Sequence, residues 1–248
     1  MRTVVVTGGT KGLGADLVRA FHAQGDRVVI SARSDNGLAK ELGDRARFVR
    51  CDVSKPSELH ALAKAAMEWA GRLDVFVNNA GVSGWMPLER IEEKFWDGML
   101  DTNLKSVLFG CQAAAAHMQA GGVIINMSSM AAKRGTPNNS VYCASKFGVN
   151  GITQALAKEL GPREIRVNGI CPVLVSTEGL LEALAAPEAP PGGGDVQKFL
   201  DDFTNSQTAL KRRPTGDEVA QYCLFLCSPG ASAITGQSMN VDCGVFPQ

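Results

Sequence analysis

The chain runs to 248 residues, 45% of them apolar and 20% charged, with 25 basic residues balanced by 25 acidic ones. That length and mixture can bury a full globular core, which excludes disordered, fibrous and collagen-like chains. Zero formal charge gives no field to draw nucleic acid or an anionic membrane, so neither is expected as a partner.

In chain order, short β-branched runs alternate with longer stretches of helical period. Strands are expected at 3–6, 27–31, 46–51, 73–77, 122–127, 166–171 and 238–241, and helices at 14–23, 57–70, 95–117, 140–160 and 217–226. Apolar runs without alternation read as strands covered on both faces. Strand, crossover helix and parallel strand, repeated with one hand, give a doubly wound parallel α/β sheet, and no break in composition suggests a second domain. The first apolar run, 4–6, ends at Thr7-Gly8-Gly9, too short for a secretory leader, and no run approaches a bilayer span. The seven cysteines lack a C-x-x-C pair, and Cys223 and Cys227 stand at helical spacing as small buried apolar residues. The three histidines are isolated, so no metal site is expected, and the setting is read as reducing and cytoplasmic.

Segment 178–213 breaks the rhythm. Ala185-Ala186-Pro187, Pro190-Pro191 and Gly192-Gly193-Gly194 lie there between two short helical pieces. An insertion of that length in a compact domain is expected to act as a lid.

After the first strand comes Thr7-Gly8-Gly9-Thr10-Lys11-Gly12-Leu13-Gly14, opening directly into a helix. Glycines there let the backbone turn sharply and approach a pyrophosphate, whose charge then faces the helix N-terminus. Lys11 is followed by Gly12 and not by Ser or Thr, which argues against a magnesium-binding P-loop. The second strand ends in Ser31-Ala32-Arg33-Ser34, without the carboxylate that would bond a ribose 2′-hydroxyl. Arg33 offers a guanidinium fork to a 2′-phosphate and Lys11 a second cation, so the expected dinucleotide is NADP(H).

Tyr142 and Lys146 stand one helical turn apart, and Ser129 lies thirteen residues before the tyrosine. A phenol titrates near ~10 when unperturbed, and an ammonium at i+4 is expected to favour the phenolate and lower that value. The serine hydroxyl would hold a substrate oxygen while the phenol moves the proton.

These motifs are joined by Asp52-Val53 after the third strand, Asn78-Asn79-Ala80-Gly81 after the fourth, and Asn103. In their order and spacing, and over essentially its whole length, the chain resembles a short-chain dehydrogenase/reductase (SDR). The resemblance implies a single-domain Rossmann-type α/β fold over 1–248, with about seven parallel strands and helices on both faces. It makes Tyr142 the general acid for carbonyl reduction, with Lys146 lowering its pKa and holding the nicotinamide ribose. Ser129 would polarise the carbonyl, and Asn103 would position a water between Lys146 and solvent. Ser128 is the neighbouring alternative, and the spacing to Tyr142 favours Ser129. Gly8, Thr10, Lys11, Gly12, Leu13, Gly14, Arg33, Ser34, Asp52 and Val53 would hold the adenine half of the cofactor. Asn79, Ala80 and Gly81 would pass beneath it, with Pro172, Val173, Val175 and Thr177 near the nicotinamide.

Two positions depart from the family pattern. Pro172-Val173 replaces Pro-Gly, and Asp242-Cys243-Gly244 replaces Asp-Gly-Gly. The expected activity is NADPH-dependent reduction of a ketone or aldehyde, or the reverse oxidation. A 3-oxoacyl thioester reductase and a sugar or polyol dehydrogenase are the alternatives within the family, and a non-catalytic NADP-binding redox sensor is the alternative outside it. The expected substrate wall comprises Ser83, Trp85, Met86, Ser129, Tyr142, Val173, Leu180, Leu181 and Leu184. A carrier-protein substrate would need cations, for which Lys133, Arg134 and Arg163 are the candidates. A homo-oligomer, dimer or tetramer, is expected with the last two helices at the contact.

Overall fold

The structure is a computed structural model that describes residues 1–247. Among them seven strands form one sheet: β1 (Thr3–Thr7), β2 (Arg27–Ala32), β3 (Ala46–Arg50), β4 (Val75–Asn78), β5 (Val123–Met127), β6 (Arg166–Pro172) and β7 (Ser238–Val241). All pairs are parallel, in the order β3-β2-β1-β4-β5-β6-β7. The chain winds outward from β1 through β3, returns to β4 on the other side, and continues to β7. That reversal opens a crevice beyond the carboxyl ends of β1 and β4, where doubly wound sheets bind ligands.

The helices are α1 (Gly12–Ala23), α2 (Leu38–Leu42), α3 (Pro56–Ala70), α4 (Glu93–Leu100), α5 (Ser106–Ala115), α6 (Ser140–Leu160), α7 (Glu178–Leu184), α8 (Val196–Gln207) and α9 (Gly216–Leu226). Side chains alternate across a strand, so β1 feeds two cores. Val4 and Val6 pack with Leu17 and Phe21 of α1 and Val219 and Leu226 of α9. Val5 points the other way, into Leu59 and Leu62 of α3, Val107 of α5 and Val149 of α6. Each such fully buried aliphatic side chain stabilises the fold by roughly 1.5–3 kcal/mol.

The two-sided reading of the strands holds at the centre, where β1, β4 and β5 are buried throughout. It fails for β3 and β7, whose residues are only partly covered because each lies at an edge of the sheet. Asp74 is not strand: its carboxylate accepts from the Thr3 amide at 2.7 Å and binds Arg72. The expected helix 95–117 is interrupted by a π-helical turn, Asp101–Lys105, between α4 and α5. α2, five residues between two left-handed glycines, is too short to show a helical period in sequence.

A polar ladder crosses the centre. Asn78 of β4 donates to Asn126 of β5 at 2.9 Å, Asn126 donates to the Thr153 hydroxyl at 2.9 Å, and Thr153 bonds the Val149 carbonyl within α6. Thus α6 is keyed to the middle of the sheet.

Residues 178–213 contribute α7 and α8, capped by the Thr177 hydroxyl and the Asp195 carboxylate. Leu184, Ala189 and Leu200 form a small core with Trp85, which comes from the loop after β4. At the rim, Arg90 pairs with Glu188 at 2.7 Å, and the Asn138 amide donates to the Glu188 carbonyl at 3.3 Å.

The two departures from the family pattern both carry backbone consequences. Val173 is buried against Met130 and Val245, and the left-handed conformation falls on the next residue, Leu174, at φ 37°. Cys243 is itself left-handed, at φ 53°. A non-glycine residue rarely adopts either.

Candidate active site

The carboxyl ends of β1, β2, β4, β5 and β6 surround a cleft of about 1100 Å³. At one end lies the glycine-rich loop. Gly8 and Gly12 have φ of 64° and 52°, and a Cβ on Gly8 would stand 2.9 Å from the Ala80 backbone. A Cβ on Gly14 would collide with the Gly8 carbonyl oxygen, so α1 approaches β1 as only glycine permits. The N-terminus of α1 has no side-chain cap and no acidic residue in its first turn. Its amides are therefore free to face a pyrophosphate. A dinucleotide fits this cradle.

Arg33, Ser34, Asp52 and Val53 border the same end of the cleft. The Asp52 carboxyl is held below its ordinary range, first by a hydrogen bond from the Ser54 hydroxyl, with the charge of Arg33 contributing. Lys11 Nζ stands 3.9 Å from the Glu178 carboxylate at the start of α7, and both side chains are exposed. Asn79 and Ala80 donate their amides to the Thr7 hydroxyl, and the Asn79 side chain donates to the Thr7 carbonyl at 2.9 Å. The strand-end loop is thereby fastened beneath the cleft.

Further along, β5 delivers Ser129 and α6 delivers Tyr142 and Lys146 to one wall. The Ser129 hydroxyl accepts from the Ala131 amide at 3.1 Å and borders the cleft together with Tyr142. Ser128, the adjacent alternative, is turned to Asn150 at 2.8 Å. Lys146 is 5% exposed, donates to the Met127 carbonyl at 2.8 Å, and lies 5.8 Å from the Tyr142 ring centre.

The expected lowering of the tyrosine is opposed by burial, which pushes the Tyr142 phenol up, with the Ser129 hydroxyl acting against it. Burial pushes Lys146 itself down to about 8. Desolvation of each charged form outweighs an attraction that acts from beside the ring.

Every expected cofactor residue borders this cleft: Gly8, Thr10, Lys11, Gly12, Leu13, Gly14, Arg33, Ser34, Asp52, Val53, Asn79, Ala80, Gly81, Pro172, Val173, Val175 and Thr177. Ser83, Trp85 and Leu180 of the expected substrate wall do so as well. Asn103 lies behind the wall, in the π-helical turn. It bonds both backbone groups of Val82 at 2.8 Å and the Ser145 hydroxyl at 3.3 Å. Met86 and Leu181 do not line the cleft. The Met86 amide is tied to the Asn138 carbonyl, and Leu181 is 42% exposed on the outer side of α7. Arg134, named above as a candidate cation, borders the cleft; Met130, Asn139, Phe199 and Phe203 line it without having been expected to, since the chain shows no local signal for what α8 and the loop after β5 will meet.

Among the described residues no helix is long and apolar enough to cross a membrane, and no group of three or more candidate ligands could hold a metal. The family model described as enoyl-(acyl carrier protein) reductase matches residues 8–246. A probable galactose dehydrogenase of Rhizobium meliloti is 37% identical, covering 99% of this chain and 95% of its own. The crystal structure of a Brucella melitensis short-chain dehydrogenase/reductase, titled glucose/ribitol dehydrogenase, superposes with a TM-score of 0.90 at 30% identity over 100% of this chain and 97% of that one. An actinorhodin polyketide ketoreductase variant with NADPH gives a TM-score of 0.90 at 32% identity, over 98% and 97% of the two chains. The chain belongs to the short-chain dehydrogenase/reductase family, oxidoreductases that act on CH–OH and C=O groups with a nicotinamide dinucleotide.

Proposed function

We propose that the protein reduces the carbonyl of a ketone or aldehyde with NADPH, and catalyses the reverse oxidation when alcohol and NADP are supplied. The observation that carries this reading is the meeting of Ser129, Tyr142 and Lys146 on one wall of the cleft that begins at the glycine-rich loop. The dinucleotide, when bound, supplies or accepts the hydride. Gly8, Gly12, the α1 amides, Arg33 and Lys11 hold its phosphates, and Asn79, Ala80 and Gly81 support it from below. Ser129 orients the carbonyl oxygen, and Tyr142 gives that oxygen its proton. A phenol whose ordinary value is raised by burial is protonated at neutral pH, which suits reduction. Lys146 holds the nicotinamide ribose, and Asn103 braces the segment behind it. Residues 178–213 act as the lid, with Trp85 as its seat.

The alternatives fare unequally. For a carrier-protein thioester, Lys133 is turned to the Ser238 carbonyl, and Arg163 is bonded to the Ala115 and Met118 carbonyls before β6 begins, at the opposite end of the sheet from the cleft. A basic docking surface is not assembled. A sugar or polyol substrate stays in line with the galactose and glucose/ribitol dehydrogenase relatives. Self-association is part of the proposal, through exposed apolar residues such as Phe225 on α9 and Phe147 on α6.

The test is NADPH oxidation against a panel of ketones, aldehydes and sugars, repeated with Tyr142→Phe. Loss of turnover by a factor on the order of 10²–10⁴, with dinucleotide binding retained, is expected. Unchanged turnover in the variant would remove Tyr142 from the chemistry, and binding of NADPH without turnover of any compound by the parent would favour the redox-sensor reading.

A further inference from the structure

Two arginines border the cleft with guanidinium groups that have no bonded partner among the described residues. Arg33 follows β2 at the cofactor end. Arg134 follows Ser129 by five residues, on the loop between β5 and α6. β1 and β4 lie between β2 and β5, so the two arginines leave the sheet from different strands.

The other cations nearby are engaged. Lys146 is bonded to Met127, Lys133 donates to Ser238 at 2.7 Å, and Lys11 faces Glu178. Arg134 is half-buried in the wall, its amide bonded to the Met130 carbonyl, yet its guanidinium makes no hydrogen bond and no ion pair among the described residues. The cleft carries a second sign of a missing polar ligand. Asn139, 5% exposed, leaves its Oδ1 unpartnered, and Trp85, 8% exposed, leaves its Nε1 unpartnered, and both residues border the same cleft as Arg134. Buried donors and acceptors are ordinarily satisfied, so a lone acceptor, a lone donor and an unpaired guanidinium bordering one cleft point to a polar molecule. Glu182, exposed on α7, adds one unpaired carboxylate to the same border, which suits a substrate with a single anionic group and not a polyanion.

Resting on the carbonyl-reductase reading, we infer that Arg134 binds an anionic group, carboxylate or phosphate, at the end of the substrate remote from the reacting carbonyl. The guanidinium presents a planar fork matched to either oxyanion. Substrates are then small oxo acids or oxo phosphates, and Arg134 sets specificity without touching the reacting atoms.

The test uses the full chain with NADPH and matched pairs: levulinate and its methyl ester, acetoacetate and its methyl ester, dihydroxyacetone phosphate and dihydroxyacetone. An anionic member should exceed its neutral partner in kcat/KM by about ten-fold or more, and the pair that does so separates carboxylate from phosphate. Arg134→Ala should lower kcat/KM for that member by about ten- to a hundred-fold, mainly through KM, while the neutral partner changes by less than about two-fold. Arg134→Lys should recover part of the loss, since it restores the charge but not the fork. In parallel, calorimetry with NADP present measures binding of the corresponding hydroxy acids and glycerol phosphate to parent and Arg134→Ala. Neutral compounds preferred, or both partners weakened alike, would overturn the inference. If no carbonyl is turned over, the carbonyl-reductase reading fails by itself. The calorimetric arm still decides on Arg134: equal affinity in parent and variant refutes it, and selective loss in the variant supports it.

Discussion

Lys146 Nζ lies 5.8 Å from the centre of the Tyr142 ring and is tethered to the Met127 carbonyl at the end of β5. The tether fixes the ammonium beside the ring, and burial presses it toward its neutral form, with a value near 8 against an ordinary 10.5. Between those values the unfolded chain binds more protons than the folded one, so this lysine makes the dinucleotide-free protein more stable as pH rises through that window. Below pH 8 its cost is fully present. Lys146→Met should therefore be more stable than the parent in urea, most of all below pH 8, with the gap closing toward pH 10.5. The buried thiols, Cys51 pushed up to about 11 among them, act in the opposite sense from pH 9 upward, but they cancel in the difference. A gap that does not vary with pH would show that charge burial is not its origin.

Arg33 meets no carboxylate at the end of β2, and Asp52, which feels its charge, is bonded by the Ser54 amide and hydroxyl. The parent should bind NADPH more tightly than NADH. Arg33→Ala should weaken NADPH binding by about ten- to a hundred-fold, with NADH nearly unaffected. Fluorescence titration of both cofactors against both proteins measures this. Equal affinities in the parent would remove the basis for NADP(H) selectivity.

Cys243 pays for its left-handed backbone with strain that glycine would not feel. Its carbonyl accepts from the Ala209 and Leu210 amides, so the conformation is held from outside. Cys243→Gly should raise stability by up to about 1 kcal/mol, the relieved strain being offset partly by the greater freedom of glycine in the unfolded chain. Denaturant midpoints decide. A loss of more than about 1 kcal/mol would mean that the side chain packs usefully.

The Arg90–Glu188 pair is exposed on the arginine side and should contribute less than about 1 kcal/mol to global stability. Its effect should be local. In Glu188→Gln, proteolytic nicking within 185–194 should speed up several-fold while the thermal midpoint barely moves. Cleavage at the parent rate would mean that the Trp85 core alone holds the segment down.

The sequence made some parts of this molecule readable and hid others for physical reasons. The glycine-rich loop, Arg33 and the Tyr142–Lys146 pair were visible because each depends on a few neighbouring residues and on backbone freedom. The central strands were visible because burial on both faces leaves an unbroken apolar run. The tether from Lys146 to Met127 was not, since it arises only when α6 packs on β5. Nor was the π-helical turn around Asn103, whose side chain is committed to Val82 and Ser145 across a tertiary contact. Leu174 gave no warning of its positive φ, which a branched side chain in a strand-like run does not announce. Phe199 and Phe203 came to the cleft through the folding of a segment whose prolines and glycines show no period.

The Asn78–Asn126–Thr153 ladder has a mechanical consequence. It ties the helix that presents the proton donor to two central strands, so that wall serves as a fixed datum for the reacting atoms. The opposite wall, from Thr177 to Gln207, rests on two caps, the Lys11–Glu178 and Arg90–Glu188 pairs and a small core around Trp85. On the proposed mechanism, differences in substrate size would be absorbed by displacement of that side, while the stereochemical face offered to Tyr142 would stay the same.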